Sequence, residues 1–375
     1  MKAVAAFILP ALFVVSTAAP ARAQFGAALG KIKKGADTAA DAKQKYDDWN
    51  ITDAEERQLG EQVSAKLRSR FGVMQDAAVT KYVTLVGSVL AQGSTRPALD
   101  WKFIVLDTDG VNAYAAPGGF IHITRGLLGL LKNEAELAGV LGHEITHVTK
   151  KHTVDAIKKN KGLDMGADAV GKNGSLTAEM LAKLGDKAFQ SVFAGQFSQA
   201  DENEADQVGV ELANKAGYAP AGLADALQKV SDRNANTTEQ NGFFVSHPVI
   251  KDRIARINKQ IKADKLTSTA VVEARYKQNI TFDAKPLSEV TIDVSGAAGL
   301  ASGEKKKDDK GDDKKKGSGL SSITGGKQQA SNQQTASAGA RGGVPDRDAK
   351  GGSNPNAINV KVGPAEITAF KKGIA

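Results

Sequence analysis

The segment that most constrains this chain is His143-Glu144-Ile145-Thr146-His147, an HExxH motif. Histidines four residues apart project from the same face of an α-helix, where both imidazoles can hold one zinc ion. The glutamate between them then lies beside the metal and can take a proton from an activated water molecule. The motif therefore predicts a helix and a zinc hydrolase, most simply a peptidase, if the rest of the chain supplies a third ligand.

The residues around the motif favour a helix. Asn133 is a preferred N-cap residue, and Glu136 stands at the third helical position, where it can answer that cap. Apolar residues then recur at helical spacing, and we expect the helix to run to about Lys151. The residues that would form its buried side are Leu137, Val140, Leu141, Ile145 and Val148.

Histidine is a weak source for the third ligand. The chain has no cysteine, so the ligand must be a histidine or a carboxylate. His152 is one residue too close for the HExxHxxGxxH pattern. On a continuous helix it would lie about 180° from His143, so we interpret it as exposed or as a neighbour of a ligand. His122 falls in a predicted strand and is interpreted as a structural or rim residue.

Carboxylates that open a downstream helix are better candidates. Glu202 and Asp206 are four residues apart and share a helix face. In glutamate zincins the first such carboxylate binds zinc, and the second accepts a hydrogen bond from a ligand histidine and so fixes its tautomer. Glu204 faces about 200° from Glu202 and cannot replace it unless the helix rotates. The predicted zinc ligands are His143, His147 and Glu202.

The first 23 residues predict export. Met1-Lys2 gives a positive start, an apolar run reaches about Val15, and Ala21-Arg22-Ala23 is a cleavage site before Gln24. A membrane anchor is the alternative, but the run is shorter than the roughly 20 residues that a spanning helix needs. The lack of cysteine excludes disulfides, a cysteine nucleophile and a lipid-modified N-terminal cysteine. An exported chain without disulfides favours a bacterial periplasm.

The apolar pattern predicts an α+β fold that is mainly helical, with a few short strands. We expect strands at 101–106 and 120–124, separated by a loop at 112–119, and further short strands at Val271–Tyr276 and Val290–Val294. The predicted helices cover residues 54–70, 76–92, 133–151, 175–193, 201–216, 221–231 and 248–262.

Composition divides the chain into segments. The region after about residue 298 is rich in Gly, Ser, Lys, Asp and Gln and almost lacks large apolar residues, so it cannot bury enough surface to order itself. The predicted order is a signal peptide (1–23), an N-terminal helical extension (24–51), a zinc metallopeptidase domain (52–264), a short strand-bearing extension (265–297), a disordered low-complexity linker (298–354) and a C-terminal strand–helix segment (355–375).

The net charge of +8 does not indicate nucleic-acid binding. The densest charged stretch, Glu304–Lys316, sets seven lysines against five acidic residues and contains no aromatic residue. Nucleic-acid sites instead combine a basic patch with residues that stack on bases. This stretch is better interpreted as part of a solvated linker.

Over residues 52–260 the chain resembles metallopeptidase family M48. The resemblance rests on Gly142-His-Glu-Ile-Thr-His147, Glu202-x-x-Ala205-Asp206, Ser246-His247-Pro248 and Arg253-Ile254, with further similarity at 112–119 and 124–128. It implies a gluzincin fold of the soluble periplasmic type, with a small sheet over the HExxH helix, and one zinc ion per chain. Glu144 would be the catalytic base, and Asp206 would support a ligand histidine.

The resemblance also implies residues outside the metal ligands. His247 is expected over the site, either as a donor to the transition state or as a cap on the resting zinc, and Arg253 is a weaker candidate. An exposed strand at Gly119–Thr124 is expected to pair with an extended substrate. The residues assigned to substrate binding are Gly119, Phe120, Ile121 and His122.

The leading hypothesis is a periplasmic zinc endopeptidase that degrades misfolded or unassembled envelope proteins. The alternative is a chaperone-like or adaptor protein that binds unfolded chains and has weak or latent proteolysis. In either case the expected partners are extended polypeptides and not nucleic acid. The chain is not expected to span a membrane, and association with a membrane surface stays open.

Overall fold

The computed structural model describes residues 51–159, 176–194, 197–234, 250–286 and 354–374. All of these except residues 176 and 177 belong to one compact unit. In chain order its elements are α1 (Asp53–Phe71), α2 (Ala77–Gln92), β1 (Lys102–Leu106), β2 (Ala113–Ala116), a short 3-10 turn (Pro117–Gly119), β3 (Phe120–Thr124), α3 (Arg125–Leu130), α4 (Glu134–Thr149), α5 (His152–Lys159), α6 (Ala178–Ala194), α7 (Gln199–Ala216), α8 (Gly222–Asn234), α9 (Ile250–Ala263), α10 (Glu273–Asn279) and α11 (Pro364–Lys372). The fold is α+β and mainly helical, as predicted.

Polar caps set where the helices of the site begin. The Asn133 side chain accepts a hydrogen bond from the Glu136 amide and donates one to the Glu136 carboxylate, which starts α4 where the sequence predicts. Ser198 and Asp201 form a reciprocal capping box at the start of α7. Gly217, with φ 108°, closes α7 in the left-handed region that favours glycine.

The three strands form one sheet in the order β1-β3-β2, with β3 parallel to β1 and antiparallel to β2. The prediction of an exposed strand at Gly119–Thr124 is wrong, because β3 is the central strand and every one of its residues is buried. Its partner β2 lies in the segment 112–119, which the sequence predicts as a loop. Alanine has low β-propensity, so the Ala-Tyr-Ala-Ala run of β2 gave no strand signal.

Helices cover both faces of the sheet. On one face, α2 and α4 pack on apolar side chains such as Phe103 and Ile121, which belong to the main hydrophobic core. On the other face, α1 and α6 enclose Tyr114, which stacks between Phe71 and Phe193. The motif helix α4 is therefore held between the sheet and α7, and all but one of its residues are buried.

The segment 265–286 contains a helix and not the predicted strand. The prediction of a strand at Val271–Tyr276 followed two β-branched residues, but α10 begins at Glu273 with residues that favour a helix. Ala270 makes only an isolated bridge to Tyr218. Within 265–286 no strand is present.

The C-terminal segment packs on the same unit. Helix α11 forms as predicted, but residues 354–363 before it adopt no regular structure, so the predicted strand is absent. Ile367 and Ile374 are buried in the main core, and α11 packs on α2. The carbonyl of Asn354 accepts a hydrogen bond from the Val73 amide, which fixes the start of the segment.

Several predictions lie outside the described residues. They are the signal peptide, the helical extension except for Ile51, the strand at Val290–Val294, the linker except for Asn354, and His247. Among the helices that are described, none is long and apolar enough to cross a membrane.

Candidate active site

Two glycines let the helices of the site touch. A Cβ atom on Gly209 of α7 would lie 2.6 Å from the His143 backbone nitrogen, and one on Gly142 of α4 would lie 2.7 Å from the Gly209 carbonyl oxygen. No side chain fits between the two backbones there. Glu202 stands seven residues before Gly209 and hence on the same face of α7. The crossing therefore presents Glu202 to the histidines of α4.

Three side chains converge beside this crossing. The two Nε2 atoms of His143 and His147 are 3.1 Å apart. The Glu202 carboxylate lies 3.7 Å from Nε2 of His143 and 3.4 Å from Nε2 of His147. All three side chains are buried, and among the described residues they form the one cluster that could hold a metal ion.

The spacing of this cluster fits zinc. A tetrahedral ion with bonds of about 2.0–2.1 Å places its ligand atoms about 3.4 Å from one another. The two imidazole nitrogens are 3.1 Å apart, and Glu202 approaches His143 with Oε2 at 3.7 Å and His147 with Oε1 at 3.4 Å, which is close to that spacing. Two imidazoles and one carboxylate are also a usual donor set for a catalytic zinc, which keeps a further position for water.

Asp206 supports the first histidine. Its Oδ1 lies 3.0 Å from Nδ1 of His143, so the opposite ring nitrogen, Nε2, points into the cluster. Burial lowers the pKa of His143 to about 3, although the Asp206 hydrogen bond opposes this effect, so the ring is neutral as a ligand must be. Burial alone would raise the pKa of Asp206, but Arg253 and His143 hold it well below its usual range.

Arg253 is more important than its sequence position suggested. The side chain is fully buried, donates from Nε and Nη2 to the two Asp206 oxygens, and places Nη1 3.3 Å from Glu202. An arginine on an amphipathic helix is usually solvated or ion-paired at the surface. Its spacing in the sequence indicated burial instead. Arg253 follows Ile250 by three residues and precedes Ile257 by four, which places it on the apolar stripe of α9.

Glu144 is fully buried and close enough to this cluster for His147 and Glu202 to act on its charge. Burial raises the pKa of its carboxyl group to about 7, and the charges of His147, Glu202 and Arg253 also act on it. A group with a pKa near 7 can both take up and release a proton at neutral pH. This is the electrostatic setting that a general base and acid requires.

His152 contacts a candidate ligand. Helix α4 ends at Thr149, and Lys151 adopts a positive φ of 57°, so the chain turns before α5 and the continuous helix assumed from the sequence does not exist. His152 is consequently buried, with its Nδ1 atom 2.9 Å from Nδ1 of His147. The interpretation of His152 as an exposed residue is wrong. The other interpretation, that His152 lies next to a ligand, agrees with the structure.

The four residues assigned to substrate binding lie in the interior. His122 is fully buried, with Nε2 2.9 Å from the Ser64 hydroxyl, and the Phe120 ring lies 4.2 Å below the Arg57 guanidinium. Gly119 and Ile121 are also buried. Because both edges of β3 are occupied, an added strand would have to pair with an outer strand of this sheet.

The region that contains this site matches a known peptidase family. Residues 77–261 match the model of peptidase family M48. The chain belongs to this family. Within the M48 region lie the HExxH helix, Glu202, Asp206 and Arg253, which the structure brings together.

Similar proteins fall into two length classes. A β-barrel assembly-enhancing protease of Yersinia pestis is 27% identical over 208 residues, which cover 54% of this chain and 43% of that protein. The metalloprotease LoiP of Escherichia coli K12 is 29% identical over 60% of this chain and 86% of its own length. The mitochondrial metalloendopeptidase OMA1 of Schizosaccharomyces pombe is 26% identical over 48% of this chain and 52% of its own length. The chain thus spans less than half the length of the assembly-enhancing protease but most of LoiP.

Proposed function

We propose that this M48 protein is a zinc-dependent endopeptidase that hydrolyses misfolded or unassembled envelope proteins in the periplasm. The observation that carries the proposal is the convergence of His143, His147 and Glu202 in one buried cluster that could hold a metal ion, with Glu144 buried beside them. We assign His143, His147 and Glu202 as the ligands. A bound zinc would supply Lewis acidity toward a peptide carbonyl and a water molecule.

The protein residues divide the remaining chemistry among them. Glu144 accepts a proton from the attacking water and returns it to the departing amine, acting first as a general base and then as a general acid. Asp206 holds the ring of His143, and Arg253 keeps Asp206 ionised and in place. We assign His247, which we expect over the site from the family resemblance, as a second donor to the developing oxyanion.

The substrate is an extended polypeptide. Strand β2 has β3 on one side and contacts the motif helix, but all four of its residues are buried. A peptide that paired with its outer edge, once that edge is uncovered, would pass beside α4 and gain main-chain hydrogen bonds. This arrangement favours unfolded chains, because folded proteins do not offer an unpaired extended segment.

The biological role rests on the relatives and the N-terminus. The names of the relatives include a protease that enhances β-barrel assembly and the metalloprotease LoiP. Residues 1–23 have the pattern of a cleaved secretory signal. Together these support an exported protease that acts on envelope proteins.

Casein digestion by the purified protein tests the activity. We expect hydrolysis that stops with a chelator, returns with added zinc, and falls at least about 10³-fold in Glu144→Gln because the base is lost. The Glu211→Gln variant, changed at an exposed position of α7, is the matched control and should keep full activity. Undiminished digestion by Glu144→Gln would refute the peptidase assignment.

The same experiment separates the chaperone-like alternative. A binding protein would retain unfolded casein without producing fragments, and neither chelator nor Glu144→Gln would alter the binding. The endopeptidase instead yields fragments whose appearance depends on both. Product analysis by mass spectrometry distinguishes internal cleavage from trimming at the ends.

A further inference from the structure

The two candidate ligand histidines are supported by different groups. Nδ1 of His143 meets the carboxylate of Asp206 at 3.0 Å. Nδ1 of His147 lies against another imidazole nitrogen, Nδ1 of His152, at 2.9 Å. Both His147 and His152 are buried, so this contact is shielded from water.

One arrangement of protons satisfies the whole chain of contacts. Nε2 of His147 faces His143 and Glu202, so its lone pair is directed into the cluster and its proton is on Nδ1. That proton can be donated to His152 only if Nδ1 of His152 carries a lone pair. The proton of His152 is then on Nε2, which lies 3.1 Å from a carboxylate oxygen of Glu204 and donates to it.

The series of hydrogen bonds from His147 through His152 to Glu204 ends in an ion pair. The other oxygen of Glu204 accepts from the Lys150 ammonium at 2.6 Å. Each ligand histidine is thus connected to a carboxylate that a cation holds in place. For His143 the connection is direct and buried, through Asp206 and Arg253. For His147 it passes through His152 to Glu204, which is 43% exposed.

We propose that His152, backed by Glu204, is a positioning residue that fixes the ring orientation and tautomer of His147 for metal binding. This inference rests on the metal site of the proposed function. His152 is not itself a ligand of that site, because its ring contacts the Nδ1 side of His147 and the cluster lies on the Nε2 side.

Zinc affinity of the purified full-length protein tests the proposal without reference to catalysis. The dissociation constant is measured by competition with a chromophoric chelator. The His152→Phe variant keeps an aromatic ring beside Phe197 but offers no acceptor, and we expect zinc binding about 10–100-fold weaker. The His152→Asn variant keeps an acceptor near the position of Nδ1 and should bind within a few-fold of the natural protein.

Two glutamate variants test whether Glu204 contributes to the zinc affinity. Glu204→Gln should weaken zinc binding by less than His152→Phe, because Glu204 is partly solvated and its charge is screened. Glu211→Gln on the same helix should leave the affinity unchanged. Thermal unfolding in chelator shows whether each variant folds before its affinity is compared.

Nitrogen-15 spectra of the imidazoles in the unmodified protein give an independent readout. With zinc bound, His152 should show a protonated Nε2 and an unprotonated Nδ1. The reverse tautomer, or a His152→Phe affinity equal to that of the natural protein, would overturn the proposal. Equal losses in His152→Asn and His152→Phe would overturn it as well, since they would indicate a packing role.

The test distinguishes this inference from the proposed function. If the affinity order holds but casein is not cleaved, the positioning role stands and the peptidase assignment fails. If casein is cleaved in a zinc-dependent way but the order is absent, only the positioning role fails. Absence of zinc binding in the natural protein would remove both.

Discussion

Arg253 holds both carboxylate oxygens of Asp206, from Nε at 2.9 Å and from Nη2 at 2.6 Å, inside a fully buried pair. The pair joins α9 to α7 directly behind His143. Such a buried ion pair adds little to the net free energy of folding, because both ions lose their hydration. Removal of one partner is nevertheless costly, because it leaves an uncompensated buried charge. The arginine therefore bears on both the stability of this region and the geometry of the candidate metal site.

Replacement of Arg253 by methionine should strongly destabilise the protein. We expect the free energy of unfolding to fall by about 3–5 kcal/mol, because Asp206 would remain buried without its cation. Arg253→Lys should recover little, since one ammonium group cannot reproduce two parallel hydrogen bonds. Urea unfolding in chelator measures the change, and Lys259→Met, at an exposed position of α9, should cost less than about 0.5 kcal/mol. Equal stability of the two methionine variants would contradict this account.

Gly209→Ala should weaken zinc binding although residue 209 is not a ligand. The added methyl group would lie 2.6 Å from the His143 backbone nitrogen, so α7 must move away from α4 and carry Glu202 with it. We expect at least about tenfold lower zinc affinity, with an overpacking cost of about 1–3 kcal/mol. Chelator competition measures the affinity. Glu211→Ala, also on α7 but exposed, should bind zinc normally.

His122 should make stability depend on pH. Burial lowers its pKa in the folded protein to about 3, from about 6.5 in the unfolded chain. Between these values the unfolded chain binds a proton that the folded protein does not, so stability is complete above pH 6.5 and falls as the pH is lowered toward 3. The slope from this one group is about 1.4 kcal/mol per pH unit.

The His122→Gln variant isolates that slope. Glutamine does not titrate, so the variant should lose stability less steeply than the natural protein between pH 6 and pH 4.5. Both proteins are unfolded with urea in chelator, so that the other histidines contribute equally and cancel in the difference. Parallel curves for the two proteins would show that the pKa of His122 is the same in the folded and unfolded states.

The C-terminal helix should contribute to the stability of the M48 domain. Ile367 of α11 is buried in the main core, and Ile367→Ala should lower the free energy of unfolding by about 2–4 kcal/mol. The neighbouring Thr368 is exposed, so Thr368→Ala should cost less than about 0.5 kcal/mol. Urea unfolding with a single transition would show that α11 unfolds together with the rest. A separate early transition would mean that α11 is only loosely attached.

Local chemistry explains what the sequence predicted well. The caps at Thr52 and Asn133 and the proline at the start of α11 act within one helical turn, so helix starts could be read from neighbouring residues. The spacing of His143 and His147 fixed their common face in the same way. Glu202 could be assigned because no cysteine and no well-placed histidine competed for its role.

The predictions that failed depended on non-local or unusual backbone geometry. The positive φ of Lys151, which no residue type announces, brings His152 to His147. The pairing of an alanine-rich strand with β3 made the expected substrate strand central instead of exposed. The position of Arg253 on the apolar stripe of α9 indicated burial, but its partner Asp206 is on α7, so the pairing could not be predicted from α9 alone.

The packing of residues 354–374 against residues 73–82 has a consequence for biogenesis. These segments are about 280 positions apart, so their contact closes a very long loop. Closing such a loop costs conformational entropy, and we expect this contact to form late in folding. The hydrophobic interior that holds the HExxH helix is incomplete until residue 374 has been synthesised. A nascent or truncated chain lacks this closure, so its hydrophobic core would be less stable than that of the full-length chain.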